Sequence, residues 1–167
     1  MNMNERIAQL SMIKYVKYET GNIGIITNGG GLALATIDHL SAKGGKAANF
    51  MDLGGQAYHE KVTESLIMMQ KDQLVDVILL NMFCGQLIAD KIAVVIKEAY
   101  NKGYCKKPLI CRLKGAGAEE ANKIIRSISS DKITCAVEFE EAVDKVLEVQ
   151  KTAEKPQRSR YNIDPMA

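Results

Sequence analysis

The chain has 167 residues, of which 47% are hydrophobic and 25% are charged, a balance typical of one globular domain. Its formal net charge is +2, and the residues after position 150 account for it. The rest of the chain is therefore neutral, which argues against a nucleic-acid-binding face or a surface for anionic lipid. No apolar run approaches the ~20 residues of a membrane-spanning helix. The charged residues at this end are Lys151, Glu154, Lys155, Arg158, Arg160 and Asp164.

The four cysteines show no C-x-x-C pair and no accompanying histidine spacing, so we expect reduced thiols rather than disulfides or a zinc site. The N-terminus carries no signal-peptide hydrophobic segment, and Glu5 is unlike an acid-poor transit peptide. These features favour a cytoplasmic protein. The cysteines are Cys84, Cys105, Cys111 and Cys135.

Short apolar runs alternate with helical patterns five times along the chain. The first predicted strand is Ile23–Thr27, and a helix follows from about residue 32 to residue 42. The second strand lies near residues 48–52. Its helix carries an apolar face at helical spacing. The members of that face are Tyr58, Val62, Leu66 and Met69.

The third predicted strand, residues 75–82, is almost continuously apolar, as expected of a central parallel strand covered on both faces. A helix over residues 86–102, a strand over 109–113, a helix over 119–129 and a strand over 133–137 follow it. The last helix shows apolar residues at steps of three and four. They are Phe139, Ala142, Val143, Val146 and Leu147.

Strands alternating with helices predict right-handed crossovers onto a parallel sheet. We therefore expect an α/β, flavodoxin-like, doubly wound sheet of five parallel strands in the order 2-1-3-4-5, with helices on both faces. The domain should span residues 1–155, with Pro156 ending the last helix. Residues 156–167 should form an exposed tail, which is either a solvated terminus or, through Arg158, Arg160 and Tyr161, a protein contact.

Four glycine-bearing loops should meet at the carboxyl edge of this sheet, where open α/β sheets bind ligands. They cover residues 28–31, 52–55, 84–86 and 114–117. Glycine lets backbone N–H groups at helix N-termini approach an anion closely. Short turns also need glycine for their own φ angles, so both explanations remain open for each loop.

The motifs of several other ligand-binding families are absent. Lys46 is not followed by Ser or Thr, as a P-loop requires, and Leu34 stands where a dinucleotide fingerprint needs its third glycine. Asn81 lies where a receiver domain would carry an aspartate. His39 and His59 lie on predicted helices without a carboxylate or cysteine partner at useful spacing. The sequence therefore predicts no catalytic residue and no metal site.

The loops taken together resemble those of one family. The stretch N-G-G-G-L-A-L-A-T resembles N-G-A-G-L-A-M-A-T, and G-G-K-A-A-N-F-M-D-L-G-G resembles G-G-x-P-A-N-F-L-D-x-G-G. Both patterns are similar to the C-terminal domain of succinyl-CoA ligase β subunits, in the superfamily that includes ATP-citrate synthase. The resemblance runs from about residue 15 to residue 147. The matching segments are residues 21–24, 28–36, 44–55, 81–83, 87–90 and 112–113.

The resemblance implies a site shared between subunits. In this family the β subunit joins an ATP-grasp portion to this domain, and the α subunit carries the phosphorylated histidine and most of the CoA site. The β domain contributes a helix whose N-terminus faces the phosphohistidine and succinate. By resemblance Asn28 contacts substrate beside Gly29, Gly30 and Gly31. Two further substrate-binding residues, Gly85 and Gln86, would begin that helix.

On this resemblance, the chain has no cofactor of its own. It would bind CoA and succinate or phosphate only when paired with an α-like subunit. A mitochondrial location is the alternative that the family suggests.

Departures from the family pattern fall on the site and not on the core. The ATP-grasp half is expected to be missing, and about four residues, roughly one helical turn, are absent after the third strand. Cys84 replaces a glycine, and Lys114 reverses a charge. We therefore predict a stand-alone, non-catalytic subunit with a binding or structural role in a larger heteromeric assembly. The alternatives are a split β component that pairs with an α-like subunit, and a sensor of CoA or a small anion.

Overall fold

The computed structural model describes residues 3–18, 20–56 and 59–152. Its helices and strands alternate after a short N-terminal helix and strand. In chain order the elements are α1 (Met3–Leu10), β1 (Lys14–Lys17), β2 (Ile23–Thr27), α2 (Gly30–Ala42), β3 (Ala47–Asp52), α3 (His59–Lys71), β4 (Val77–Cys84), α4 (Ala89–Asn101), β5 (Leu109–Gly115), α5 (Ala118–Ser127), β6 (Ile133–Ala136) and α6 (Phe139–Thr152).

The central strands are apolar on both faces because helices cover both sides of the sheet. On β4, Val77 and Leu79 belong to the core under α2 and α6, whereas Ile78, Leu80 and Met82 face the core under α3, α4 and α5. All five residues are fully buried. The two-residue alternation of the strand thus divides one apolar run between two separate cores.

The sheet has six strands in the order β1-β3-β2-β4-β5-β6. Its five parallel strands have the predicted order, so the flavodoxin-like arrangement is confirmed. The predicted count of five strands is wrong, because β1 pairs antiparallel with β3, with Lys14 opposite Asp52 and Lys17 opposite Asn49. The sequence signal of β1 is weak because it is a four-residue edge strand with exposed lysines at both ends.

The end of β4 differs from the prediction in a way that matters for the site. The strand continues to Cys84, which lies opposite Gly115 in the parallel ladder. Consequently α4 begins at Ala89, so Gly85 and Gln86 form a loop and not the first turn of the helix. The predicted helix start at residue 86 is therefore wrong. Pro156 and the predicted tail lie outside the described residues.

None of the helices in residues 3–18, 20–56 and 59–152 is both long enough and apolar enough to cross a bilayer.

Candidate functional site

The candidate site lies where two neighbouring parallel strands are followed by helices on opposite faces of the sheet. After β2 the chain enters α2 on one face, and after β4 it enters α4 on the other. This divergence leaves a crevice at the carboxyl edge of the sheet, the usual ligand position in open α/β folds. The predicted site residues lie in the two loops that border it.

Asn28 spans this crevice with both ends of its side-chain amide. Its Nδ2 donates to the carbonyl oxygen of Phe83 at 2.9 Å, and its Oδ1 accepts from the Phe83 N–H at 3.0 Å. The loop after β2 is thereby tied to the last residues of β4. In this conformation Asn28 holds the two loops together, and a ligand would have to compete for its amide.

The three glycines after Asn28 form an open helix start. Gly29 caps α2 with an extended φ of 175°, and neither Gly30 nor Gly31 has a positive φ. A Cβ added at Gly29 or Gly31 would meet no atom within 4 Å, and one at Gly30 would meet only Asp52 Oδ2, at 3.5 Å. Within the described residues, no acceptor bonds the N–H groups of Gly30 or Gly31. The backbone conformation therefore does not require glycine here, which disfavours the explanation by turn geometry for this loop.

Cys84 lies at the entrance to the second loop and is only 1% exposed. Burial raises the pKa of its thiol to about 11, so the thiolate is scarce at neutral pH. This agrees with a side chain that fills space and not with a reactive thiol at a helix N-terminus. All four cysteines are free thiols.

Gly85 and Gln86 are exposed beyond Cys84. Gln86 lines a cleft of about 210 Å³ together with Gly55, Gln56 and Leu87. This cleft joins the loops after β3 and β4. Residues 28–31 do not line this cleft.

The first N–H group of α4 is bonded by the chain itself. The first helical N–H, of Ala89, donates to the carbonyl oxygen of Ala116 at 2.8 Å, and the Ala116 N–H donates to the Cys84 carbonyl at 2.9 Å. Asp90 adds a carboxylate to the first turn. Its Oδ1 is buried without a hydrogen-bond partner among the described residues. An anion at this helix end would meet a negative charge instead of a free first N–H group.

Two glycines make this closure possible. Gly115 has a φ of +93°, and a Cβ there would lie 2.0 Å from the Cys84 carbonyl oxygen. Gly117 has a φ of +77°, and a Cβ there would lie 2.5 Å from the side chain of Ile88. In this loop, unlike residues 29–31, backbone geometry and close packing do require glycine.

Arg112 and Asn81, which match the family pattern, hold the fold together internally. Arg112 donates to Asn81 Oδ1 at 2.8 Å, and Asn81 Nδ2 donates to Thr36 Oγ1 at 2.9 Å. The guanidinium lies 5.5 Å from the Phe139 ring centroid, and burial lowers its pKa. These contacts link α2, β4, β5 and α6 in a long-range network that no local sequence signal revealed.

Both histidines have carboxylate partners that sequence spacing did not reveal. His39 Nε2 lies 2.9 Å from Glu140, and His59 Nε2 lies 3.5 Å from Glu98. These carboxylates come from helices distant in sequence, so spacing along the chain could not indicate them. Within residues 3–18, 20–56 and 59–152, no three His, Cys, Asp or Glu side chains are grouped to hold a metal ion.

Lys114, the charge reversal noted in the sequence, pairs with Glu138 at 2.8 Å. It therefore ties the end of β5 to the residue before α6.

Comparisons with known proteins agree with the fold and with the motif resemblance. The family model described as CoA-ligase matches residues 26–147. A succinate–CoA ligase [ADP-forming] β subunit from Christiangramia forsetii is 40% identical over 150 residues, which cover 89% of this chain and 37% of that protein. A β subunit 2 from Archaeoglobus fulgidus is 39% identical, over 77% of this chain and 33% of that protein. The chain thus spans about a third of the length of these curated relatives.

Solved structures show the same fold at lower sequence identity. An ATP citrate lyase from Methanothrix soehngenii, in complex with citrate and coenzyme A, has a TM-score of 0.70 and 15% identity, over 89% of this chain and 46% of that chain. A dinucleotide-forming acetyl-coenzyme A synthetase from Ca. Korarchaeum cryptofilum has a TM-score of 0.62 and 17% identity, over 84% of this chain and 37% of that chain. The predicted resemblance to succinate–CoA ligase β subunits is confirmed by the curated relatives, and the chain belongs to the CoA-ligase family.

Proposed function

We propose that this chain is a non-catalytic member of the CoA-ligase family with a binding or structural role in a larger heteromeric assembly. The observation that carries the proposal is the start of α4. Its first N–H is bonded to Ala116, and its first turn carries Asp90. In the family resemblance this helix end is the part that faces the phosphohistidine and succinate, so its closure removes the electrostatic contribution of the domain.

Membership in an assembly is supported by the relatives, which are named as β subunits of succinate–CoA ligases. By resemblance the partner is an α-like subunit. The core that packs the helices on the sheet is complete, with residues from β2, β4 and β5 fully buried. A stable fold in which the start of α4 is closed fits a subunit that contacts other proteins better than one that binds a small anion at that helix end.

The open start of α2 favours a second candidate. Gly29, Gly30 and Gly31 leave backbone N–H groups accessible without a conformational need for glycine. A split β component that completes a ligase site with an α-like subunit would use such a surface. Binding by the chain alone should still be weak, since by resemblance the site lies between two subunits.

The test is a reconstitution with a phosphorylated α subunit taken from the succinate–CoA ligase of Christiangramia forsetii. Succinate-dependent loss of phosphate from the histidine is measured with this chain, without it, and with the native β subunit as the positive control. We expect this chain to leave the rate unchanged. Acceleration by this chain would contradict the proposal and support the split β component.

A further inference from the structure

A second concave surface lies away from the carboxyl edge, between α3 and α4. It consists of two adjoining compartments of about 320 Å³ and 580 Å³, which share Lys102 and Tyr104. Val95 and Ala99 line the first compartment and are almost fully buried, and Ile67 lines the second. The groove therefore has an apolar base and a half-exposed aromatic ring at its centre.

One end of this groove is acidic. Glu60, Glu64 and Glu98 line the first compartment together with His59. Glu98 lies 3.5 Å from His59 Nε2, whereas Glu60 and Glu64 form no ion pair with any described residue. Two carboxylates are thus available to a cation that comes from outside the chain.

The other end is basic. Lys71 and Lys106 line only the second compartment, whereas Lys102 lines both. In the described part of the chain, none of these three ammonium groups forms an ion pair. Glu60 and Lys71 bracket α3, and their separation of eleven residues corresponds to about 16 Å along the helix. The groove therefore carries a charge gradient along about three helical turns.

The wall that carries Tyr104 is fixed to α3 before any partner arrives. Gln70 Oε1 accepts the N–H groups of Lys106 at 3.0 Å and of Lys107 at 2.8 Å. The N–H of Tyr104 donates to the Ala99 carbonyl at 2.9 Å. Since these bonds hold the loop after α4, a ligand would not have to order it, which favours binding.

We propose that this groove binds an amphipathic α-helix of a partner protein, with its N-terminus over Lys71 and Lys106 and its C-terminus over Glu60 and Glu64. Helices favour acidic residues in the first turn and basic residues in the last, and the side-chain charges of such a helix complement the gradient in this orientation. An apolar stripe at helical spacing would cover Tyr104 and Ile67. The groove would be the surface through which the chain contacts a partner in the proposed assembly, so the inference rests on that proposed function. It does not require that the carboxyl edge of the sheet bind a ligand.

A second copy of this chain fits the groove less well. A two-fold axis through the groove would place one concave surface against another, so the apolar bases could not meet. A convex helix fills the concavity.

The experiment uses two synthetic helical peptides of about 13 residues, held helical by a side-chain lactam, with the same leucine stripe and the same net charge. One has glutamates in its first turn and lysines in its last, and the other has the same glutamates and lysines divided equally between its two ends. Fluorescence anisotropy of each labelled peptide is measured against the whole chain. We expect the first peptide to bind at least tenfold more tightly. Equal affinities, or a preference for the second peptide, would overturn the proposal.

Charge variants locate the site. The double variant Lys71→Glu/Lys106→Glu should abolish the tenfold preference, and Tyr104→Ala should weaken both peptides. The matched control, Lys91→Glu/Lys97→Glu, changes two exposed lysines of α4 that do not line the groove, and it should keep the preference. Loss of the preference in the control alone would place the peptide elsewhere and overturn the proposal.

Sedimentation velocity distinguishes a second copy from a partner helix. A dimer of the whole chain that Lys71→Glu/Lys106→Glu dissociates would show that the groove is a self-interface, against the proposal. A monomer that binds the first peptide supports it. Neither the peptide measurement nor the sedimentation measurement depends on phosphohistidine turnover. If the groove binds no helix, the proposed lack of catalysis can still be tested by the reconstitution.

Discussion

Two helices begin on either side of the same crevice, and their N-termini differ in how their first N–H groups are bonded. At α2, Gly30 and Gly31 leave N–H groups without acceptors among the described residues, and no acidic residue lies in the first turn. At α4, the Ala89 N–H is bonded to Ala116, and Asp90 is in the first turn. Glycine content alone therefore does not indicate an anion site, because one set of glycines opens a helix end and the other closes one.

The largest change in stability should come from a substitution in the loop that closes the start of α4. Gly115→Ala places a Cβ 2.0 Å from the Cys84 carbonyl at a φ of +93°, so we expect the free energy of unfolding to fall by about 2 kcal/mol or more. Gly31→Ala is the matched control, since nothing lies within 4 Å of its Cβ. It should leave the free energy of unfolding unchanged or raise it by less than about 1 kcal/mol, because alanine loses less conformational entropy on folding than glycine. Urea denaturation measures both, and equal effects would contradict the distinction between the two loops.

A smaller effect should follow from removing the connection across the crevice. Asn28→Ala deletes both hydrogen bonds to the backbone of Phe83 and should lower the free energy of unfolding by about 1–2 kcal/mol. Asn28→Asp keeps the acceptor for the Phe83 N–H but loses the donor. Its thermal denaturation midpoint should therefore lie between those of the unsubstituted chain and Asn28→Ala. No change in either variant would mean that Asn28 does not tie the loops together.

A third helix start provides a reference for an ordinary capped end. At α6, Glu141 accepts the N–H groups of Val137 and Glu138. Lys145 and these N–H groups hold the pKa of Glu141 at about 2. Because the folded pKa is depressed, the contribution of Glu141 is complete above the unfolded value of about 4.3 and is lost as pH falls towards 2.

Glu141→Gln should therefore cost about 0.5–1 kcal/mol at neutral pH and nothing near pH 2. The difference in unfolding free energy between the two proteins, measured across this range, checks the prediction. A difference that does not change with pH would show that charge has no part in capping α6.

The parallel sheet could be predicted because its signals are local: apolar runs of strand length separated by helical periodicity and glycine turns. The strand β1 escaped prediction because K-Y-V-K has no apolar run and gains its place from pairing with β3. The predicted start of α4 at residue 86 is too early because β4 extends beyond the predicted strand end at residue 82, as far as Cys84. The ladder contact between Cys84 and Gly115, thirty-one residues apart, keeps Cys84 in β4.

The site was harder to predict than the fold. Asn28, Asn81 and Arg112 were found through the family resemblance, but the sequence does not say whether a polar side chain bonds a ligand or the chain itself. In the structure Asn28 bonds Phe83 and Arg112 bonds Asn81, so both side chains bond the chain itself. Hydrogen-bond partners that are distant in sequence come together only in the assembled sheet, so the spacing of residues along the chain cannot predict them.

The central claim is that the start of α4 does not accept an anion, and a backbone amide NMR titration with inorganic phosphate tests it most directly. The N–H resonances of Ala89 and Asp90 report on the closed end, and those of Gly30 and Gly31 report on the open one. We expect the Ala89 and Asp90 resonances to stay in place at millimolar phosphate. Saturable shifts of Ala89 and Asp90 at submillimolar phosphate would contradict the account.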